Sequence, residues 1–272
     1  MSISAKATER MKVALKRFQP IIQAAKARDI NESDTVVIVT DVLENIFGYD
    51  KFVEITSEYA IRGTYCDLAI KIDGKLAFLM EVKAIGLELK DQHVKQAIDY
   101  AANQGIEWVA LTNGAEWRIY RVSFGKPINF DLVETFNLLT ISLKDKATLE
   151  TLDLLSKEGL KKSKLEQHHS YKQILNRFTV GAILFSEPVV DSIRKELRKL
   201  SPEAKVTEEE IREILKNEVI KREVLEGEKA LLAQKQVSKA ERKTLKKAKD
   251  KGASPDKESL VELVVEPIAV AQ

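Results

Sequence analysis

The stretch CDLAIKIDGKLAFLMEVK, residues 66–83, decides the predicted fold of this chain. Two apolar runs flank Asp73-Gly74, a dipeptide typical of two-residue β-turns. The pattern predicts a β-hairpin in which residues 67–72 pair with residues 75 to about 81. Ionised groups in a buried hairpin are unfavourable unless they are paired or bound to something. Asp67, Glu81 and Lys83 therefore need an explanation.

These charged residues form a candidate metal site. Side chains alternate along a strand, so Glu81 and Lys83 project from one face, and the hairpin brings Asp67 close to Glu81. Neighbouring carboxylates repel unless a cation separates them, and hard oxygen ligands favour Mg²⁺. We expect Mg²⁺ or Mn²⁺ to bind Asp67, Glu81 and the Val82 carbonyl, with Lys83 assisting an attacking water. The alternative is a set of solvated charges at a frayed strand end.

The flanking sequence predicts an α/β domain. Helical spacing favours a pair of helices over residues 4–28, divided near Pro20, and a second helical segment from Ser33, as N-cap, to Phe47, before Gly48. The run at 36–39 also suits a strand. Residues 51–59 form a predicted strand before the hairpin, a helix ends at Gly105, and two strands flank Asn113-Gly114. This order predicts a mixed sheet flanked by helices, closing near residue 140.

A helical region follows the predicted α/β domain of residues 1–140. Residues 141–252 contain charged amphipathic helices, including a capping box at Thr207 and Glu210, and are candidates for oligomerisation or DNA contact. The basic run at 239–251 could contact phosphates or could be a solvated helix face. Residues 253–272 form a predicted linker and apolar tail. We expect Trp108 and Trp117 in the core and His168 in solvent.

Composition excludes several classes of protein. The chain has 272 residues, 32% of them charged, and a formal net charge of +2. Its one cysteine, Cys66, excludes an internal disulfide and a cysteine zinc site. It has no apolar run of membrane-spanning length and no glycine-rich phosphate-binding motif. We therefore expect a cytoplasmic protein with neither membrane attachment nor nucleotide cofactor.

The candidate site also carries a family resemblance. Asp67 followed by Glu81-Val82-Lys83 is the pattern of the PD-(D/E)XK phosphodiesterases, although Cys66 replaces the usual proline before Asp67. From about residue 30 to 122 the chain resembles the N-terminal nuclease domain of type I restriction enzyme R subunits. The further marks are SEY at 57–59, QAIDY at 96–100, LTNG at 111–114 and EWRIY at 116–120. No Walker motif is present, so we do not expect the ATP-driven translocation of R subunits.

The resemblance implies a restriction-endonuclease-like fold and roles for particular residues. It assigns metal binding to Asp67 and Glu81, assistance of the attacking water to Lys83, and a place near the substrate strand to Gln96 and Tyr100. Gln96 and Tyr100 share a helix face at i and i+4, but could instead be a surface residue and a core aromatic. Two more acidic residues, Glu44 and Glu58, could complete the site or could be surface glutamates.

The expected function is that of a Mg²⁺-dependent endonuclease, a phosphodiester hydrolase acting on DNA in restriction or anti-phage defence. The alternative is a non-catalytic DNA-binding or assembly module with a nuclease-like fold. An RNA-directed hydrolase would use the same site. DNA is the expected partner, and the C-terminal helices could form a homo-oligomer.

Overall fold

The computed structural model describes residues 3–61, 64–125, 127–142 and 144–250. The chain forms two compact units, the first ending at His169 and the second beginning at Ser170. The predicted tail at 253–272 lies outside the described residues. No helix in the described ranges is both long enough and apolar enough to cross a membrane.

The first unit is built on a mixed sheet, as the sequence predicts, but the sheet has six strands where the sequence predicts five. The strands follow one another in chain order, and all neighbours are antiparallel except β3 and β4. Helix α3 (Asp91–Gln104) connects these two parallel strands, which cannot be joined by a tight turn. The strands are β1 (Ile55–Ile61), β2 (Thr64–Ile72), β3 (Lys75–Val82), β4 (Trp108–Thr112), β5 (Glu116–Ser123) and β6 (Asn129–Asn137).

The predicted hairpin is confirmed. Asp73 and Gly74 both have positive φ, 51° and 77°, the combination that a type I′ turn requires. Ile72 pairs with Lys75 next to this turn, and the pairing runs to Leu68 and Met80. The pairing shifts by one residue between Ile70 and Lys71, so the turn and this β-bulge together set the register that places Asp67 near the end of β3.

The N-terminal helices differ from the prediction in two details. Helix α1 (Ala5–Ala27) is one helix that runs through Pro20, so the predicted helix pair is wrong. Its buried face continues on both sides of Pro20, from Leu15 and Phe18 to Ile22, and this packing keeps the segment helical. Helix α2 (Glu32–Val42) is capped by Asn31, whose side chain accepts from the Asp34 N–H at 2.9 Å, and not by Ser33.

Helix α2 leads into a π-helical turn (Leu43–Phe47) that ends, as predicted, at Gly48 with φ 84°. Residues 36–39 belong to the helix, so the alternative strand is not formed. One buried cluster unites α1, α2 and this turn with one sheet face, including Phe78, Met80 and Val82 of β3. Helix α3 packs on the other face against Leu79, Leu111 and Tyr120.

Strand β6 is absent from the prediction. It pairs along the length of β5, but only Val133 and Phe136 of its nine residues are buried. A mostly exposed edge strand lacks a strong apolar signal. The first unit then continues past the predicted boundary at residue 140, since Leu149, Leu152, Leu155 and Leu165 join the core. The additional helices are α4 (Lys146–Asp153), α5 (Lys157–Lys161) and, up to His169, α6 (Lys164–Ile174).

Both tryptophans are buried, as predicted. The Trp108 indole N–H donates to Glu166 at 3.0 Å, which ties α6 to the sheet. His168 lies 2.8 Å from Glu134, and 24% of its side chain is exposed, so the expectation of a freely solvated histidine is wrong. The contact holds the same helix against β6.

The second unit is helical. A small cluster of Val190, Ile211 and Leu215 forms its core. The predicted capping box is confirmed, because Thr207 and Glu210 bond reciprocally. Its elements are α7 (Arg177–Leu184), α8 (Glu187–Leu200), α9 (Glu208–Ile214), a π-helical turn (Leu215–Val219), α10 (Arg222–Leu225) and α11 (Glu228–Asp250).

Candidate active site

The candidate site lies where β3 ends beside β2 and β4. Continuing the β2–β3 register one residue beyond Leu68 and Met80 sets Asp67 opposite Glu81. Glu58 stands opposite Asp67 on β1, between the pairs formed by its two neighbours. The sheet therefore aligns three acidic residues on adjacent strands, in one row.

Asp67 is held by the backbone of β3. Its Oδ2 accepts the Val82 N–H at 2.7 Å, in place of a further backbone bond between the two strands. The Lys83 N–H donates in the opposite direction, to the Thr112 carbonyl at 2.8 Å. Because backbone groups alternate along a strand, the Val82 N–H and carbonyl both point toward β2. The Val82 carbonyl is thus directed to the side on which Asp67 lies.

Lys83 forms an ion pair with the second carboxylate, that of Glu81. Its Nζ lies 2.7 Å from Glu81 Oε1 and 3.3 Å from Glu32 Oε2. The Glu81 side chain is only 9% exposed and that of Lys83 18%, whereas that of Glu32 is 47% exposed. The ammonium group therefore lies between a buried carboxylate and an exposed one.

Burial and repulsion disfavour the charged form of both strand carboxylates. Burial raises the pKa of Asp67, against the lowering effects of the Val82 N–H and of Lys83. Burial also raises the pKa of Glu81, and the negative charge of Asp67 adds to this effect against the Lys83 hydrogen bond. Burial acts to lower the pKa of Lys83, but Glu81, Glu32 and Asp67 outweigh it and the pKa is raised. Lys83 is thus an ammonium at neutral pH, and the site holds excess negative charge.

The donor set is compatible with a hard divalent cation. Across the described ranges, no cluster of three or more His, Cys, Asp and Glu side chains has the arrangement of a metal site. Mg²⁺ commonly uses only one or two carboxylates and keeps several waters. Asp67, Glu81 and the Val82 carbonyl supply oxygen ligands of this kind, and the raised pKa values of the carboxylates indicate that a cation would stabilise their charged forms.

Gln96 and Tyr100 form a second group on α3. The Gln96 amide donates to the Tyr100 hydroxyl, so the two residues share a helix face as expected. Tyr100 is 8% exposed and packs in the cluster between α3 and the sheet, while Gln96 is exposed. Leu79 and Leu111 belong to that cluster, and by strand alternation Glu81 projects from the same sheet face. Their described contacts join these residues to each other, not to Asp67, Glu81 or Lys83.

The other candidate acids lie in different surroundings. Glu44 lies in the π-helical turn, with its carboxylate 3.3 Å from Lys51. Glu58 is exposed and has φ 47°, a conformation rare for this residue type, directly opposite Asp67. Its charge adds to the rise in the pKa of Asp67.

Glu32 is the acidic residue that the sequence analysis missed. It is the first residue of α2, and placing the N-cap at Ser33 excluded it from the helix. Recognition of Asn31 as the cap would have placed Glu32, rather than Glu44, at the helix end that reaches Lys83.

Residues of the LTNG and EWRIY motifs form hydrogen bonds that hold the backbone next to the site. Asn113 donates to the Leu87 carbonyl at 2.9 Å and accepts from two backbone N–H groups of its own turn. The Tyr120 hydroxyl donates to Asp91 at 3.0 Å, and burial raises its pKa to about 12. These bonds fix the loop after Lys83 and the start of α3.

Comparison with known proteins relates part of the chain to a family. The chain matches no curated protein and no solved structure. Residues 37–134 match the family described as the N terminus of the type I restriction enzyme R protein. The match covers β1 to β5, most of β6, and every candidate site residue except Glu32. Residues 37–134 therefore belong to the type I restriction enzyme R protein N-terminus family, a PD-(D/E)XK nuclease-like domain.

Proposed function

We propose that this protein is a Mg²⁺- or Mn²⁺-dependent endonuclease that hydrolyses DNA phosphodiester bonds in restriction or anti-phage defence. One observation carries the proposal: two buried or half-buried carboxylates on adjacent strands, Asp67 and Glu81, share one ammonium group, Lys83. The family match of the surrounding residues supports a nuclease-like, restriction-related role. Excess negative charge inside a DNA-directed domain is explained if a cation binds there.

Asp67, Glu81 and the Val82 carbonyl are the proposed ligands. A bound magnesium ion supplies Lewis-acid chemistry to phosphodiester hydrolysis, polarising a phosphoryl oxygen and promoting deprotonation of water. Val82 N–H holds Asp67 in place through the 2.7 Å bond, and Lys83 does so for Glu81. Both carboxylates are thus oriented before any ligand arrives.

Lys83 acts through its positive charge. Burial acts to lower its pKa, but Glu81, Glu32 and Asp67 raise it, so the ammonium form is favoured before a cation binds. It can donate a hydrogen bond to the attacking water and offset the negative charge that develops on the phosphate. Gln96 and Tyr100 are proposed to lie near the substrate strand, with the Gln96 amide available to donate to a phosphate oxygen.

The test is cleavage of supercoiled plasmid and of single-stranded DNA by the purified full chain in Mg²⁺, in Mn²⁺ and in EDTA. We expect cutting in both metals and none in EDTA. Glu81→Gln and Lys83→Ala should each lower the rate at least about 100-fold, since each removes a group that acts on the reacting atoms.

Lys75→Ala is the matched control for Lys83→Ala. Lys75 is exposed at the opposite end of the same strand, and its replacement should leave the rate unchanged. Metal-dependent DNA binding without cutting by the wild type would favour the non-catalytic module. Cutting of RNA alone would favour the RNA-directed hydrolase.

A further inference from the structure

One contact at the site involves a residue outside the proposed ligands. Lys83 Nζ lies between Glu81 Oε1, at 2.7 Å, and Glu32 Oε2, at 3.3 Å. Glu81 comes from the strand, and Glu32 comes from the start of α2. The ammonium group therefore has a second carboxylate within reach.

We propose that Glu32 is a positioning residue that holds the Lys83 ammonium when a divalent cation occupies Glu81. The inference rests on the proposed function, because it assumes the cation site at Asp67 and Glu81. It concerns regulation of that site by a residue that is not itself a ligand.

Lys83 and a bound cation would compete for Glu81. In the structure, Oε1 of Glu81 accepts a hydrogen bond from Lys83. A divalent cation at the same carboxylate would repel the ammonium group at short range. Lys83 then needs another negative partner, because only 18% of its side chain is exposed and an unpaired buried charge is costly. Glu32 supplies that partner without a large movement of the lysine.

The position of Glu32 is fixed by its surroundings. The Asn31 side chain caps α2 and sets the backbone at its first residue. The loop after Lys83 passes so close to the turn before α2 that a Cβ on Gly86 would lie 2.0 Å from Asp29 Oδ1. Asn113 holds the same loop from the other side through Leu87. Lys83 and Glu32 are thus attached to two backbone segments that lie against each other.

Charge and exposure separate the role of Glu32 from that of a ligand. Asp67 and Glu81 lie opposite each other on paired strands, whereas Glu32 is linked to these carboxylates by its contact with Lys83. Its side chain is 47% exposed, so water can reach its carboxylate whether or not Lys83 is bound to Glu81. Glu32 is therefore suited to pair with Lys83 when a cation replaces the ammonium group at Glu81, and Glu81 is suited to bind the cation.

The test is a thermodynamic cycle on the full chain. Isothermal titration calorimetry would measure Mg²⁺ and Mn²⁺ affinity for wild type, Glu32→Gln, Lys83→Met and the double variant. We expect Glu32→Gln to weaken binding about two- to fivefold, the factor expected for one partly exposed ion pair. In the Lys83→Met background the same substitution should have no effect, because no ammonium group remains to be held.

Asp34→Asn is the control for long-range charge. Asp34 is an exposed acid in the same first turn of α2, and its removal should leave affinity unchanged in both backgrounds. If Glu32→Gln lowers metal affinity equally in the Lys83→Met background, the inference is overturned. Glu32 would then bind the metal or act on it only through its charge. An unchanged affinity in Glu32→Gln would overturn it as well.

Asp67→Asn distinguishes this failure from a failure of the proposed function. If wild type binds no metal, or if Asp67→Asn binds metal as tightly as wild type, the proposed cation site is wrong. The proposed role of Glu32 is then wrong as well. If Asp67→Asn abolishes binding while Glu32→Gln has no effect, the proposed function survives and only the inference about Glu32 fails.

Discussion

Two clusters of buried charge in the first unit differ in their balance. Around Asp153 in α4, one carboxylate meets the Lys164 ammonium and the Ser156 hydroxyl, which donates to it at 2.7 Å. Asp153 is 2% exposed, and the Lys164 side chain 10%. At the end of β3, by contrast, Asp67, Glu81 and Glu32 surround the single ammonium of Lys83.

The difference separates a structural cluster from a binding one. A buried pair with matched charge and satisfied hydrogen bonds needs no external partner. A cluster with excess negative charge would be stabilised by a bound cation. The raised pKa values of Asp67 and Glu81 show that their charged forms are disfavoured without one. Substitution should therefore affect the two clusters in opposite directions.

The largest expected effect on stability is at the balanced cluster. Asp153→Ala leaves Lys164 without this carboxylate in a buried position, and we expect a loss of about 3 kcal/mol in the free energy of unfolding. Urea denaturation followed by circular dichroism measures it. Glu150→Gln, in the exposed part of the same helix, should change stability by less than about 0.5 kcal/mol. Comparable effects at the two positions would contradict the structural role of Asp153.

The opposite sign is expected at the unbalanced cluster. Asp67→Asn removes a repelling charge and keeps an oxygen that can accept the Val82 N–H. In EDTA at neutral pH it should stabilise the protein, by up to about 1 kcal/mol because solvent screens a partly exposed carboxylate. The same urea titration checks this. A destabilised Asp67→Asn protein would show that the charge of Asp67 is already compensated within the fold.

The stability difference between Asp67→Asn and wild type should depend on pH. The folded-state pKa of Asp67 is raised, so the folded protein binds this proton more tightly than the unfolded chain does. Below the unfolded pKa, about 4, Asp67 is neutral and the two proteins should be equally stable. As pH rises through the raised folded pKa, wild type loses stability relative to the variant. A difference that is constant from about pH 3, below the unfolded pKa, to about pH 8 would refute the assignment.

The prediction for Cys66 concerns the reactivity of its thiol and involves no substitution. Burial raises the pKa of its thiol to about 12, and the negative charges of Glu81 and Asp67 act in the same direction. The native protein should therefore react with iodoacetamide far more slowly than the urea-unfolded chain. Mass spectrometry of the alkylated protein measures the two rates. Rapid modification of the native thiol would show that the end of β2 is more open than the structure describes.

The sequence was most informative where local rules act. Asp73-Gly74 determines the hairpin, whereas the one-residue register shift between Ile70 and Lys71 is also needed to place Asp67 opposite Glu81. Strand alternation likewise separates Glu81 and Lys83 from Val82. These relations are short in range, although a slip of one residue in the register would move every side chain to the other face of the sheet.

The failures involve tertiary packing and helix boundaries. Packing keeps α1 helical through Pro20, and pairing to β5 makes a strand of the weakly apolar residues 129–137. Glu44 was considered as a completing acid because the family resemblance implies one in the first helix, whereas the helix that Asn31 caps places Glu32 beside Lys83. A shift of the N-cap from Ser33 to Asn31 was enough to miss a contact at the site.

The most direct test of the account is the effect of Mg²⁺ on thermal unfolding of the full chain. Excess charge at Asp67 and Glu81 predicts that millimolar Mg²⁺ raises the Tm of wild type and leaves that of Asp67→Asn unchanged, because binding to the folded state alone stabilises it. Equal shifts in the two proteins, or no shift in wild type, would contradict a cation site at the end of β3.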